Sequence, residues 1–167
     1  ISGTDGVQAH TETLWRLLER YRIPTFIFVN KMDQPGADRA HILEELQRKL
    51  SPACLPHDTD EEALALCDER LMAEYLESGT LTETNLAAAL ARRAWFPCFW
   101  GAALRQEGIA ELLEGLDRLT LAPAYLPDFA ARVYKISTDA QGSRLTHLKV
   151  TGGALKVRMA LPGGEKI

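Results

Sequence analysis

The chain has 167 residues, 46% of them hydrophobic and 25% charged, with a net charge of −4 and three cysteines. That is the composition of an ordinary globular protein of about one domain plus a piece of another, long enough to bury a real core. It excludes a free-standing nucleic-acid binder, which needs a clustered excess of Lys and Arg, and a membrane span, which needs ~20 apolar residues in a row.

In chain order, residues 10–22 place Leu14, Leu17, Leu18 and Tyr21 at helical spacing, and Pro24 closes that segment. Residues 24–29 are short, apolar and rich in branched or aromatic side chains, the pattern of a strand buried on both faces of a parallel sheet. Asp38 is the expected N-cap of a helix whose apolar stripe is Ile42, Leu43, Leu46 and Leu50. Residues 61–78 read as one helix ending at Gly79, and Thr82 opens another through Leu86 and Leu90. A second buried strand, Phe96-Pro97-Cys98-Phe99-Trp100, leads into Gly101-Ala102-Ala103, and residues 107–119 form a helix with Ile109, Leu112, Leu113 and Leu116 on one side. This alternation predicts an α/β fold with a mostly parallel sheet flanked by helices, whose ligands sit outside the carboxyl ends of the strands.

Beyond Leu121 the composition changes. Pro123 and Pro127 bracket a connector, followed by predicted strands at 129–137, 144–151 and 155–161. The expected organisation is residues 1–122 as one domain, 123–128 as linker and 129–167 as the first strands of an antiparallel sheet or barrel. The chain starts on Ile1 without a Met and stops three residues after Pro162-Gly163-Gly164, so it reads as cut from a longer protein. No basic-then-apolar leader is visible, and the unpaired, widely spaced Cys54, Cys67 and Cys98 point to reduced thiols. The expectation is a cytoplasmic protein. Cys54 and His57 supply only two of the ligands a tetrahedral zinc site needs.

The chemistry is concentrated at the two strand ends. Asn30-Lys31-Met32-Asp33 closes the first strand and Gly101-Ala102-Ala103 the second. A carboxylate at Asp33 accepts two hydrogen bonds, matching the N1–H and N2–H₂ of guanine; adenine offers neither and leaves the acceptor unpaired at a cost of about 1–3 kcal/mol. Asn30 bridges the base edge to a neighbouring loop, the stem of Lys31 covers the purine face, and the Ala103 N–H suits guanine O6, with Gly101 and Ala102 small enough for close approach. The 167 residues contain no Gly-x-x-x-x-Gly-Lys-Ser/Thr loop, hence no cradle for phosphates and no hydroxyl for magnesium.

These motifs, with Asp5-Gly6-Val7-Gln8-Ala9, Ile23-Pro24-Thr25 and the stretch from Asp68 to Gly79, resemble the second half of the GTP-binding domain of elongation factor G and its relatives. Residues 129–167 resemble the start of their β-barrel second domain. Asp5-Gly6-Val7-Gln8-Ala9 and Asp33-Gln34-Pro35-Gly36-Ala37-Asp38 are most like the tetracycline-resistance ribosomal protection proteins, the Tet(M) and Tet(O) group. The resemblance implies the C-terminal half of a P-loop GTPase domain, GTP or GDP as ligand with magnesium held by residues outside this chain, and the ribosome as partner. It implies a base site of Asn30, Lys31, Asp33, Gly101, Ala102 and Ala103, and no catalytic or metal residue here. Ala102 stands where the family commonly has a serine whose hydroxyl braces the base loop. Three readings follow: a ribosome-dependent GTPase of the protection type, an elongation or release factor of the same superfamily, or a non-catalytic module that binds no nucleotide alone, its oligomeric state open.

Overall fold

The computed structural model describes residues 1–121 and 124–160. Two compact units divide the chain, Ile1–Leu121 and Ala122–Ile167.

The first unit is built on three parallel strands, β1 (Ile27–Val29), β2 (Cys54–Pro56) and β3 (Phe96–Trp100), in the order β1-β3-β2. Val29 lies beside Trp100, and Pro56 beside Cys98. Residues 1–3 run along the other side of β1: the Ile1 nitrogen donates to the Phe28 carbonyl at 2.9 Å, and Asn30 N–H to the Ile1 carbonyl at 2.8 Å. Both edges of β1 are thus satisfied, which a strand with Val29 fully buried requires. β2 is absent from the sequence reading. Three residues ending in proline give no periodicity to detect, and the proline is tolerated because the strand lies at the sheet edge.

Six helices pack around the sheet: α1 (Ala9–Arg20), α2 (Arg39–Lys49), α3 (Glu61–Ala65), α4 (Glu69–Ser78), α5 (Glu83–Ala91) and α6 (Ile109–Leu119). One core holds Trp15, Val29, Leu46 and Cys98 under α1 and α2, and the other holds Leu64, Leu71, Leu90 and Trp95 among α3 to α5. The expected face of α1 is corrected. Leu14 and Leu17 are 45% and 44% exposed, whereas Trp15 is buried, because its ring meets Phe96 edge-on at 4.6 Å and carries the Arg93 guanidinium at 5.0 Å. On α6, likewise, Leu113 is 60% exposed while Ile109, Leu112 and Leu116 are half-buried.

The single helix expected over 61–78 is two. α3 stops at Ala65, and Asp68 caps the start of α4, its carboxylate accepting the N–H groups of Arg70 and Leu71 at 3.0 and 3.2 Å, so a side chain competes with the helical ladder and wins. The same carboxylate takes the Arg92 guanidinium at 3.0 Å and ties α4 to the end of α5. Burial alone would raise the Asp68 carboxyl, but Arg92 and the two backbone donors outweigh it and hold the group below its ordinary value. A lowered folded value stabilises the fold above about pH 4, and that contribution drains away as pH falls through the folded value. Asp68→Asn is expected to cost about 1–2 kcal/mol at pH 7, kept modest by the half-exposed Arg92, and to converge with the parent near pH 2. Urea midpoints at the two pH values check this, and an equal gap at both would contradict it.

The second unit is an antiparallel hairpin, β4 (Ala130–Thr138) and β5 (Arg144–Gly152), with an irregularity between Val133 and Lys135. Its turn is closed by Asp139 Oδ1, which accepts from Gln141 N–H at 2.9 Å and Ser143 N–H at 2.8 Å, with Gly142 in the left-handed region at φ 84°. Leu126, in the expected connector, pairs with Gly152. The third expected strand, 155–161, is not formed over 155–159: the Met159 N–H closes a turn on the Lys156 carbonyl at 3.1 Å, and Arg158 is left-handed at φ 62°. Leu161 and Pro123 lie outside the described residues.

Candidate functional site

β1 and β3 are hydrogen-bonded neighbours running the same way, so Asn30 and Gly101 leave the sheet side by side. Three contacts lock the segments that follow. Gly101 N–H donates to the Val29 carbonyl at 3.0 Å, Met32 N–H to the Gly101 carbonyl at 3.0 Å, and Ala103 N–H to Asn30 Oδ1 at 2.8 Å. Asn30 Oδ1 also accepts the N–H of Lys31 at 2.8 Å, which holds Lys31 in the left-handed region at φ 65° and turns its side chain to solvent.

Glycine is required at 101 for space. A Cβ there would lie 2.1 Å from the Glu107 carbonyl oxygen. Ala102, 2% exposed, exchanges backbone hydrogen bonds with Glu107 at 3.1 and 3.2 Å, closing a loop that holds the short 3-10 turn Ala103–Arg105. Asp33 extends beyond this loop, its side chain 22% exposed, with the Nε of Arg105 at 3.0 Å from Oδ2.

All six residues singled out from the sequence, Asn30, Lys31, Asp33, Gly101, Ala102 and Ala103, therefore fall on two touching loops at the carboxyl ends of adjacent parallel strands. Two details differ from the expectation. The Ala103 N–H, assigned to guanine O6, is engaged by Asn30 Oδ1, so a base oxygen must share or take that hydrogen. And Arg105, which nothing in the motif flagged, is the cation against Asp33; a basic residue two places after Gly101-Ala102-Ala103 was the available signal.

Beside the first loop lies a cleft of about 280 Å³ lined by Ser2, Gly6, Gln8, Thr11, Asn30 and Lys31, among others. Its wall is fixed by Glu45, which accepts the Val7 N–H at 3.0 Å and pairs with Lys49 at 2.6 Å. The hydrogen bond from Lys49 holds the Glu45 carboxyl below its ordinary value against the opposing effect of burial. Gly6, left-handed at φ 64°, leaves the room this carboxylate occupies.

Other candidates have packing roles. Cys54 and Cys98 are buried in the sheet, and a hydrogen bond with Cys54, together with burial, pushes the Cys98 thiol far up. The His57 ring stacks on Phe99 at 4.6 Å. Among the described residues no group of three or more His, Cys, Asp or Glu is placed to hold a metal ion, and no helix is long and apolar enough to cross a membrane.

A family model described as the elongation factor Tu GTP binding domain matches residues 1–122. The chain belongs to that family. Its similarity extends beyond the GTP-binding domain: it is 31% identical over 194 residues to "Tetracycline resistance protein TetM" of Streptomyces lividans, covering 96% of this chain and 30% of that protein. It is 33% identical over 190 residues to "Oxytetracycline resistance protein" of Streptomyces rimosus, covering 95% and 29%. The chain thus spans about 30% of the length of the curated relatives it matches. A crystal structure of a Thermus thermophilus protein superposes with a TM-score of 0.79 at 23% identity, covering 95% of this chain and 32% of that one, a likeness of fold. The α/β architecture expected from the alternation of elements, a parallel sheet flanked by helices and followed by antiparallel strands, is that of this GTP-binding family.

Proposed function

We propose that this chain carries the guanine-reading half of a ribosome-dependent translational GTPase of the tetracycline-protection type. The observation that supports it is the junction of the two loops, which brings an acceptor at Asp33, an amide at Asn30 and the Ala103 N–H that Asn30 Oδ1 holds to the neighbouring carboxyl ends of β1 and β3. In this reading Asp33 accepts the N1–H and N2–H₂ of guanine. Asn30, its oxygen committed to Lys31 and Ala103, offers its amide hydrogens to N7, and the Lys31 stem covers the ring. Adenine meets the wrong partner at both edges, an unpaired acceptor at Asp33 and a donor facing the Ala103 N–H.

GTP and GDP share the base and so share these contacts. The nucleotide supplies the phosphoryl group for hydrolysis, and no residue of this chain is assigned to the phosphates, to magnesium or to a catalytic step. Drug resistance as outcome is supported by the names of the two resistance relatives, and the ribosome as partner by the resemblance of the Asp5–Ala9 and Asp33–Asp38 motifs to ribosomal protection proteins. The family match fits an elongation or release factor as well.

The test sets the chain in place of the matching segment of the S. lividans TetM protein and measures GTP hydrolysis with and without ribosomes, then growth of a drug-sensitive host on tetracycline. Ribosome-stimulated hydrolysis with resistance is expected; stimulation without resistance moves the assignment to the factor reading, and a folded chimera with neither overturns both. The 167-residue chain alone is expected to bind GDP more weakly than micromolar, because base contacts by themselves must offset the cost of association.

A further inference from the structure

We infer that Arg105 is a positioning residue for guanine recognition: it holds the Asp33 carboxylate in its base-reading pose, work the methyl of Ala102 cannot do. This rests on the assignment of Asp33 to the base. The two loops meet through Asn30 with Ala103 and Met32 with Gly101, and Arg105 adds a third link at the residue that would read the base.

The backbone of Arg105 is fixed. Its N–H donates to the Ala102 carbonyl at 2.8 Å, the next residue, Gln106, turns back in the left-handed region at φ 61°, and the exchange between Ala102 and Glu107 closes the loop. Asp33, by contrast, sits on a surface turn whose nearest backbone closure is the Gln34 N–H on the Lys31 carbonyl at 3.2 Å. An unbraced carboxylate there would sample several rotamers and lose part of each base hydrogen bond to that entropy. Ala102 is buried and carries no hydroxyl, so the side chain next to the loop glycine supplies no donor.

Bracing and reading are compatible. A carboxylate has about four lone-pair positions and a guanine edge takes two, so a guanidinium approaching Oδ2 through one nitrogen leaves the base edge open. Were Arg105 instead a plug, it would have to leave when the base arrives, and its removal would tighten binding. Its side chain is 62% exposed, so as a bare ion pair it adds little to stability, and its effect belongs to nucleotide affinity.

The experiment titrates GDP into the TetM chimera carrying this chain. Arg105→Ala is expected to weaken GDP about five-fold with the melting temperature unchanged. Arg105→Lys should recover part of the loss and Arg105→Gln none. In an Asp33→Asn background the Arg105→Ala effect should vanish, since the two residues act as one unit. Unchanged or tighter GDP binding by Arg105→Ala overturns the inference, and so does an equal loss in the Asp33→Asn background. If Asp33→Ala itself leaves GDP affinity intact, the base-site assignment fails. If Asp33→Ala weakens binding and Arg105→Ala does not, only the brace fails. A ligand-free measurement stands beside these: in nitrogen-15 spectra of the 167-residue chain the Arg105 Nε–H resonance should shift on Asp33→Asn, and an unmoved resonance counts against the pair.

Discussion

Asp33→Asn is expected to weaken guanine nucleotides at least about 100-fold and to turn the site toward xanthine. In the proposed reading the carboxylate meets two guanine donors; an amide would keep one acceptor and point its N–H₂ at the other donor. Each mismatched buried polar contact costs about 1–3 kcal/mol, and two of them compound to two or more powers of ten. Xanthine carries a carbonyl at C2 where guanine has its amine, so the new amide would pair with it through its nitrogen while its oxygen takes N1–H. Because Asp33 lies on an exposed turn, with Arg105 as its ion-pair partner, the fold should melt as before. Competition between GDP and xanthosine diphosphate in the TetM chimera checks the exchange. Equal losses for both nucleotides would show damage to the loop rather than a change in what it reads.

Much of this site was legible because its parts are local in sequence. Asn30-Lys31-Met32-Asp33 and Gly101-Ala102-Ala103 each follow a short apolar strand, and parallel neighbours in an α/β sheet deliver their carboxyl ends to one edge. The N-caps Asp38 and Thr82 were readable for the same reason, since a cap is a contact between residues two or three apart. What escaped depends on partners far along the chain. The rotation of α1 that leaves Leu14 and Leu17 exposed is set where Trp15 meets Phe96 and Arg93, about 80 residues on. The break at Asp68 is held by Arg92, 24 residues away. Arg105 meets Asp33 across the gap between two strands, a pairing that no spacing rule announces. The helical stretch from 61 to 78 misled in a different way, for its apolar positions keep one phase through the break and periodicity alone cannot see a cap in mid-run. The loss of a strand at 155–159 is similar: Leu155 and Val157 alternate correctly, yet the chain turns at Lys156 to Met159.

Gly101→Ala is expected to be the most damaging single methyl in the site. The added Cβ would stand 2.1 Å from the Glu107 carbonyl oxygen and 2.9 Å from its carbon, and 2.9 Å from the Phe28 ring. The ring can shift, but the carbonyl cannot, since Glu107 is held by its double exchange with Ala102. Relief requires moving the 102–107 loop away from the end of β3, which pulls Ala103 from Asn30 and Arg105 from Asp33 together. The cost is about 3 kcal/mol, the upper part of the range for overpacking a filled site. GDP binding should be lost along with it, although Gly101 offers the base no side chain. Gly142→Ala is the control. Its glycine is left-handed at φ 84°, but nothing lies within 4 Å of the added methyl, so only the backbone strain of about 1–2 kcal/mol remains and nucleotide affinity should be unchanged. Urea midpoints and GDP titration on the two variants separate the cases. If Gly101→Ala bound GDP like the parent, the crossing of the two loops would not be what assembles the site, and the roles of Asn30, Ala103 and Arg105 would have to be taken apart one by one.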